Sequence, residues 1–315
     1  EVLANCPLLD DLIVFRYKSK SPSLAAMYNT IKEVRSRKFD MCVLLDSKQR
    51  SALIAFFAGI PTRIGPIFPS DKKTLNPLLY TKIIDLRRSQ ELIEGFHQTT
   101  WFQGIINGFT GKAYHSYPVI SAITSGNLEV ARSLLASLPP AEKKIALCVK
   151  GTVPIKNWPK TNFRRLIERL AREIDAAFYV VGAPGDCAYA DEIIAAMNIP
   201  VANFCGKTSI MDFVALMMKT DVFITVDTGG MHVAATTDVP IVSIFGPTPY
   251  TRFRPLGNRS IILHGNIACN PCDPTNCHDV KCLSSITVEQ VFEAAIKQLG
   301  IFDKAFRSLY KKHRE

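Results

Sequence analysis

Short hydrophobic runs alternate with longer amphipathic stretches along most of the chain. Apolar runs bounded by glycine, proline and small polar residues are typical of buried strands, and the stretches between them have helical periodicity. Buried strands that alternate with helices form parallel sheets covered by helices on both faces. The pattern therefore predicts an α/β fold. Strands are expected at residues 11–15, 41–45, 82–86, 144–149, 177–181, 201–204, 222–226 and 241–245, and a turn with a short strand at residues 59–66.

A proline-rich break at Pro139 and Pro140 separates two α/β segments. We therefore expect one domain at residues 1–138, a second at residues 139–300, and a basic amphipathic helix at residues 301–315. Such a helix either lies on anionic lipid or packs on the protein with its charges in water. Because the chain opens inside what resembles the end of a helix, we expect the first domain to lack its first strand–helix unit.

The composition is that of a globular protein, with 47% hydrophobic and 21% charged residues among 315. No run approaches the roughly 18 to 20 uncharged residues of a membrane span. The net charge of +10 favours acidic partners, whether phosphates, an anionic membrane surface or nucleic acid, without choosing among them. Five of the nine cysteines stand singly in apolar surroundings, which indicates reduced core residues and a cytoplasmic location.

Ligand-capable residues follow five predicted strands of the second segment. Because parallel strands end at one edge of a sheet, these residues are expected to line one crevice of nucleotide size. Small residues at a helix start favour an anion, so Lys156, Thr228 and the backbone of Gly229 and Gly230 are fit to hold a diphosphate. Taken alone, the Asp-Thr-Gly-Gly turn favours an ordinary strand–helix turn over a phosphate site. The five segments are Gly151-Thr152 with Lys156, Gly182 to Asp186, Gly206-Lys207-Thr208, Asp227 to Gly230, and Gly246-Pro247-Thr248.

Two nucleotide-binding signatures are absent from the sequence. It contains neither the Gly-x-x-x-x-Gly-Lys-Ser/Thr phosphate loop nor the Gly-x-Gly-x-x-Gly fingerprint, which argues against an ATPase and against a dehydrogenase. Beside Lys156, Trp158 is open to two interpretations, as a packing residue or as part of the ligand site.

Four motifs together carry a resemblance to a known family. They are Lys-x-Trp-Pro before a helix, Asp-Thr-Gly-x-x-His-x-Ala-Ala from Asp227, Phe-Gly-Pro-Thr from Phe245, and a Cys-x-x-Cys cluster. In this combination the chain resembles the family-9 glycosyltransferases, the ADP-heptose:lipopolysaccharide heptosyltransferases, and most of all the heptosyltransferase II type. Residues 51–65 are similar to the segment that precedes the acceptor site in that family. The resemblance covers nearly the whole chain.

This resemblance implies a GT-B fold, in which two Rossmann-like domains with parallel sheets face each other across a cleft. It implies an inverting transfer of heptose from ADP-heptose to the inner core of lipopolysaccharide, without a required cofactor and without nucleic acid, at the cytoplasmic surface of the inner membrane. The implied donor-binding residues are Thr152, Lys156, Asp186, Asp227, Thr228, Gly229, Gly230 and His232, with Asp186 the weaker candidate for a nucleoside or sugar contact. On the acceptor side they are Ser47, Lys48, Arg50 and Arg63.

The catalytic residue itself is left unknown by the sequence. The family's presumed base is an Asp in a glycine-containing loop after the first strand, so we expect the base upstream of Glu1. The chain as given is then expected to bind the donor, while turnover depends on that base.

A cysteine cluster near the end of the chain permits two interpretations. Four thiolates, Cys269, Cys272, Cys277 and Cys282, suit a tetrahedral structural zinc site. Only one close Cys-x-x-Cys pair is present, which is weaker than the two pairs of a zinc ribbon, so reduced or partly disulfide-linked cysteines are the other interpretation.

Two alternative functions follow from the sequence. A glycosyltransferase of the same fold with another nucleotide-sugar donor is one, because a fold does not fix its substrate. A basic zinc-ribbon protein that binds nucleic acid is the other. It predicts clustered basic residues beside the cysteines, whereas residues 266–285 contain only Lys281 and two aspartates.

Overall fold

The computed structural model describes residues 2–3, 6–15, 24–69, 71, 75–87, 97–113, 120, 122–257, 259–269, 277 and 279–300. The chain divides into two compact units. The N-terminal unit is Leu9–Ser116, and the C-terminal unit is Tyr117–Glu315 together with Glu1–Leu8. None of the helices in the described ranges is both long and apolar enough to cross a membrane.

The N-terminal unit contains a parallel three-stranded sheet of order β1-β2-β3. Ile64 of β2 and Ile84 of β3 pack with Trp101 and Ile105 in its core. The strands are β1 (Met41–Val43), β2 (Thr62–Ile67) and β3 (Lys82–Asp85), and the helices are α1 (Leu24–Ser36), α2 (Gln49–Phe57), α3 (Asn76–Leu79) and α4 (Gln98–Thr110).

The strand predicted at residues 11–15 is not formed. These residues lie in the described part of the chain and belong to no sheet. A β-strand needs a hydrogen-bonded neighbour, and the apolar pattern that predicted this strand carries no information about one. The strands predicted at residues 41–45 and 82–86 are confirmed within two residues at their ends.

The C-terminal unit is built on a parallel six-stranded sheet of order β6-β5-β4-β7-β8-β9. Its five predicted strands are confirmed, and the sixth, β9, was not predicted. The strands are β4 (Lys143–Cys148), β5 (Ala176–Val180), β6 (Val201–Asn203), β7 (Val222–Val226), β8 (Ile241–Phe245) and β9 (Ser260–His264). The helices are α5 (Ser125–Ala136), α6 (Lys160–Glu173), α7 (Cys187–Ile194), α8 (Ile210–Met217), α9 (Gly229–Ala234), α10 (Tyr250–Phe253), α11 (Lys281–Ser284) and α12 (Val288–Gln298).

The central strands of this sheet are buried on both faces. Ile145 and Leu147 of β4 enter one hydrophobic cluster, whereas Ala146 and Cys148 enter another. Successive side chains of a strand point to opposite faces, so a strand covered on both sides is apolar throughout. This explains the continuous hydrophobic runs of the sequence.

Helix α5 belongs to the C-terminal unit, although the boundary predicted after residue 138 assigned it to the first domain. The Asn127 side chain donates a hydrogen bond to Asp212 Oδ1 on α8 at 2.7 Å, and Ala131 is buried in the core of this unit. An amphipathic pattern shows that a helix has an apolar face, but it does not show which core covers that face.

The order of the strands indicates where a ligand would bind to this unit. β4 pairs with β5 on one side and with β7 on the other, so the chain order reverses between β4 and β7. In open α/β sheets, ligands bind beyond the carboxyl ends of the strands at such a reversal. Because all six strands are parallel, the five predicted strand-end segments follow the same edge of this sheet.

Candidate functional site

Two strand-end loops meet at the reversal between β4 and β7. Lys156 Nζ donates a hydrogen bond to Asp227 Oδ2 at 2.7 Å, and the side chains are 22% and 7% exposed, respectively. A Cβ atom at Gly151 would lie only 3.1 Å from the carbonyl oxygen of Asp227. Glycine at position 151 therefore lets the loop after β4 approach the end of β7 closely.

The residues around Lys156 fix its backbone. Asn157 Oδ1 accepts a hydrogen bond from Gly151 N–H at 2.8 Å, which closes the loop on itself. Trp158 is fully buried, and its Nε1–H donates to the carbonyl of Ile286 at 3.0 Å. Its ring packs edge-on against Phe163 with the centroids 5.0 Å apart. Of the two interpretations of Trp158, the structure supports packing, and the indole anchors the loop that carries Lys156.

The turn after β7 presents the start of helix α9. Thr228 is the N-cap residue, in extended conformation, and its side chain makes no cap hydrogen bond. A Cβ atom at Gly229 would meet nothing within 4 Å, and Gly229 is exposed. Gly230 is half-buried, and His232 lies exposed on the same short helix. The first N–H groups of a helix have no partner inside it, so this turn is suited to an anion placed beside Lys156.

The loop after β5 holds the predicted donor residue Asp186. Asp186 Oδ1 accepts a hydrogen bond from Lys150 Nζ at 2.8 Å, and Oδ2 accepts one from Ala183 N–H at 2.9 Å. Lys150 follows the neighbouring strand β4 and was not predicted, because a lysine outside any motif gives no local signal. The adjacency of β4 and β5 is what brings the two side chains together.

The other predicted residues of this edge make fewer contacts. Thr152 is exposed in the loop between β4 and Lys156. Gly206 after β6 has φ +72°, and a Cβ atom there would lie 2.9 Å from Pro184 Cα, so both conformation and space require glycine. Thr248 after β8 is buried, and its hydroxyl oxygen has no hydrogen-bond partner among the described residues.

Two thiols at the same edge of the sheet have raised pKa values. Burial raises the pKa of Cys148 to about 11. Burial, together with the neighbouring Cys187 and Cys148, raises the pKa of Cys205 to about 12. Since the thiolate is the reactive form, both thiols are unreactive at neutral pH. Their burial confirms the prediction that these single cysteines are core residues.

The acceptor-side residues belong to the N-terminal unit. Ser47 Oγ donates to Asp71 Oδ1 at 2.7 Å, and Lys48 Nζ lies 3.8 Å from Asp46 Oδ2, both beyond the carboxyl end of β1. Arg50 lies half-buried in the first turn of α2.

Arg63, the fourth residue predicted on the acceptor side, and Tyr80 make structural contacts in this unit that the sequence did not indicate. Arg63 Nε donates to the carbonyl of Leu79 at 2.7 Å, and its Nη1 donates to that of Ile60, so most of its guanidinium holds loop backbone. Tyr80 packs where a Cβ atom of Gly65 would otherwise lie. Burial, with Asp46 and Asp71 nearby, raises the pKa of Tyr80 to about 12.

The cysteine cluster is only partly described. Cys269 is exposed, Cys277 is half-buried and Cys282 is buried, while Cys272 lies outside the described residues. Within the described ranges, no three His, Cys, Asp or Glu side chains are grouped to hold a metal ion. The structural zinc site stays a prediction. The basic helix predicted at residues 301–315 also lies outside the described residues.

Comparison with known proteins places these motifs in a family. The model of Glycosyltransferase family 9 (heptosyltransferase) matches residues 27–282. Lipooligosaccharide heptosyltransferase 2 of Campylobacter jejuni is 32% identical over 145 residues, which are 44% of this chain and 46% of that protein. Lipopolysaccharide heptosyltransferase 2 of Escherichia coli K12 is 26% identical over 237 residues, 73% of this chain and 66% of that protein. The matched part of the chain thus spans about half to two thirds of the length of these relatives.

A solved structure agrees with the architecture. The structure of E. coli ADP-heptose lps heptosyltransferase II superposes with a TM-score of 0.74 at 20% identity, covering 96% of this chain and 87% of that one. At this identity the similarity concerns the fold. Together with the parallel sheets of both units, it confirms the predicted α/β fold of the GT-B type.

Proposed function

This chain belongs to glycosyltransferase family 9, the heptosyltransferases, and on that premise we propose that it transfers heptose from ADP-heptose to the inner core of lipopolysaccharide. The C. jejuni and E. coli relatives are named lipooligosaccharide and lipopolysaccharide heptosyltransferases, and the name of the solved E. coli structure includes ADP-heptose. The candidate site residues in the two units suit a nucleotide-sugar donor and a sugar acceptor.

The contact between Lys156 and Asp227 is the observation that carries the proposal. It puts a cation next to the exposed start of α9, where Gly229 leaves open space. A diphosphate accepts charge-assisted hydrogen bonds from a lysine ammonium and from backbone N–H groups. Because Lys156 Nζ has three N–H donors, we expect it to bind the diphosphate while it stays paired with Asp227, and the diphosphate to lie against the N–H groups of Gly229 and Gly230.

The proposed reaction is an inverting displacement. The acceptor hydroxyl oxygen forms a bond to the anomeric carbon while the bond from that carbon to the diphosphate oxygen breaks, so ADP leaves. The hydroxyl proton passes to a general base. Negative charge grows on the departing diphosphate, and Lys156 with the start of α9 stabilises that charge more than it stabilises the bound substrate.

The acceptor is proposed to lie on the N-terminal unit, where Ser47, Lys48 and Arg50 follow β1. Inner-core acceptors are lipid-borne, so the proposal includes a peripheral position at the cytoplasmic face of the inner membrane. The net charge of +10 supports attraction to an anionic surface. Salt-sensitive co-sedimentation with anionic vesicles tests this part, and equal recovery with neutral vesicles would contradict it.

Calorimetric titration tests the donor. ADP-heptose is titrated in parallel with UDP- and GDP-sugars, and we expect ADP-heptose to bind at least about tenfold more tightly, a difference of about 1.4 kcal/mol. Lys143→Met is a control variant and should show the same preference for ADP-heptose as the unchanged protein. Lys143 lies at the amino end of β4, at the edge of the sheet opposite to the candidate site. Equal affinity for all three nucleotide-sugars would refute the choice of ADP-heptose.

A further inference from the structure

We propose that Lys150 is a positioning residue that holds Asp186 ready to recognise the ribose of the bound nucleotide. The proposal rests on the proposed function, since it assumes that this edge of the sheet binds a nucleotide. Its basis is the ion pair across the ends of β4 and β5. Lys150 Nζ donates to Asp186 Oδ1 at 2.8 Å and to the carbonyl of Gly185 at 3.2 Å.

Two hydrogen bonds fix the orientation of the Asp186 carboxylate. Oδ1 accepts one from Lys150 Nζ, and Oδ2 accepts one from the N–H of Ala183, the residue before the 3₁₀ turn Pro184–Asp186, as in a capping box. Asp186 is also the N-cap residue of α7, and its side chain makes no cap hydrogen bond to that helix. A Cβ atom at Gly182 would lie 3.1 Å from Oδ2, so this orientation also needs glycine at position 182.

The position of Asp186 in the sheet topology indicates which ligand group this carboxylate binds. β4 is the strand at the reversal, and β5 is its neighbour and successor. In Rossmann-like folds, an acid beyond the second strand accepts hydrogen bonds from the ribose hydroxyls. A carboxylate has about four acceptor positions. Lys150 and Ala183 N–H use two of them, which leaves two for the 2′- and 3′-hydroxyls.

The charge of Lys150 also matters for a polyanionic ligand. An unpaired carboxylate would repel the diphosphate of the same nucleotide. With Lys150 at 2.8 Å the pair is neutral as a whole, while Asp186 keeps its hydrogen-bonding capacity. Lys150 therefore helps to orient the Asp186 carboxylate and reduces its repulsion of the bound diphosphate.

Binding of ADP and of 2′-deoxy-ADP to the full chain separates this role from a merely structural one. The unchanged protein is expected to prefer ADP by about 10- to 100-fold, because the hydrogen bond to a charged acceptor is lost with the hydroxyl. In Lys150→Met that preference is expected to fall below about threefold. Lys150→Arg, which keeps the cation, is expected to restore part of it.

Lys143→Met is the matched control. Lys143 lies at the other end of the same strand, its side chain is 27% exposed against 30% for Lys150, and it also pairs with an aspartate, Asp221. It should keep the full preference for ADP. Both pairs are partly exposed, so neither variant should unfold the protein, and thermal denaturation checks this.

Three results would overturn the proposal. If Lys150→Met weakens both nucleotides equally and keeps the preference, Lys150 acts on the phosphates. If nothing changes, the contact is an ordinary surface ion pair. If the unchanged, folded protein binds neither nucleotide, the nucleotide site itself is refuted, and with it the proposed function, which the first two results leave intact.

Discussion

Lys156 and Asp227 are 71 residues apart in the sequence, and their charged atoms meet at 2.7 Å across the ends of β4 and β7. This single contact joins the Lys-x-Trp-Pro motif to the Asp-Thr-Gly-Gly turn. Each motif therefore depends on the other, because the nearly buried carboxylate of Asp227 needs a cation and Lys156 supplies one.

Lys156→Ala should weaken ADP binding by about 1.5 to 3 kcal/mol, the free energy of a hydrogen bond to a charged group. Calorimetry on the folded variant measures this change, with Lys143→Met as the control for loss of one lysine charge. Unchanged affinity would remove Lys156 from the diphosphate site.

Gly229→Ala should weaken ADP binding without lowering the stability of the protein. The added methyl group meets none of the described residues within 4 Å, and alanine is the better helix former, so the free energy of unfolding should stay level or rise by up to about 1 kcal/mol. The same methyl group fills the space proposed for the diphosphate, so ADP affinity should drop at least about tenfold.

Gly126→Ala is the control for this change, because Gly126 lies in the first turn of α5 and a Cβ atom there meets only Thr124 Oγ1 at 3.6 Å. It should leave ADP affinity unaltered. Normal ADP binding by Gly229→Ala would place the diphosphate elsewhere.

Arg63→Met should destabilise the N-terminal unit. The substitution leaves the carbonyls of Leu79 and Ile60 without their donor, at a cost of about 1 to 3 kcal/mol. Urea denaturation measures this loss. Lys48→Met, which removes an exposed side chain 3.8 Å from Asp46, should cost less than about 1 kcal/mol. If the two variants are equally stable, Arg63 does not hold these loops.

Cys148 should make stability sensitive to alkaline pH. Burial raises the pKa of its thiol from 9.0 to about 11 in the folded protein. Between these values the unfolded chain releases the proton and the folded chain keeps it. The stabilising contribution is therefore complete below pH 9 and is lost as pH rises towards 11, at about 1.4 kcal/mol per pH unit.

Urea denaturation of the unchanged protein and of Cys148→Ala, each at pH 8 and pH 10, tests this slope. The variant should lose less of its stability over that interval than the unchanged protein does. Identical slopes would show that the folded protein does not hold this thiol protonated.

The sequence by itself determined the class of fold, the five strands of the C-terminal unit that end in ligand-capable loops, and the motifs of the proposed donor site. Apolar runs, glycine turns and helix starts are local features, so the sequence alone is enough to identify them. The same local rules assigned a strand to residues 11–15, where no partner strand is paired with it, and they missed β9.

Only the tertiary structure decided which side chains act together. The order of the sheet puts β4 between β5 and β7, and this adjacency creates both the Lys156–Asp227 pair and the Lys150–Asp186 pair. Burial decided that Trp158 anchors a loop, and hydrogen bonds assigned Arg63 to backbone carbonyls. The physical reason is that strand order and ion pairing depend on distances between residues far apart in the chain, which a local pattern does not contain.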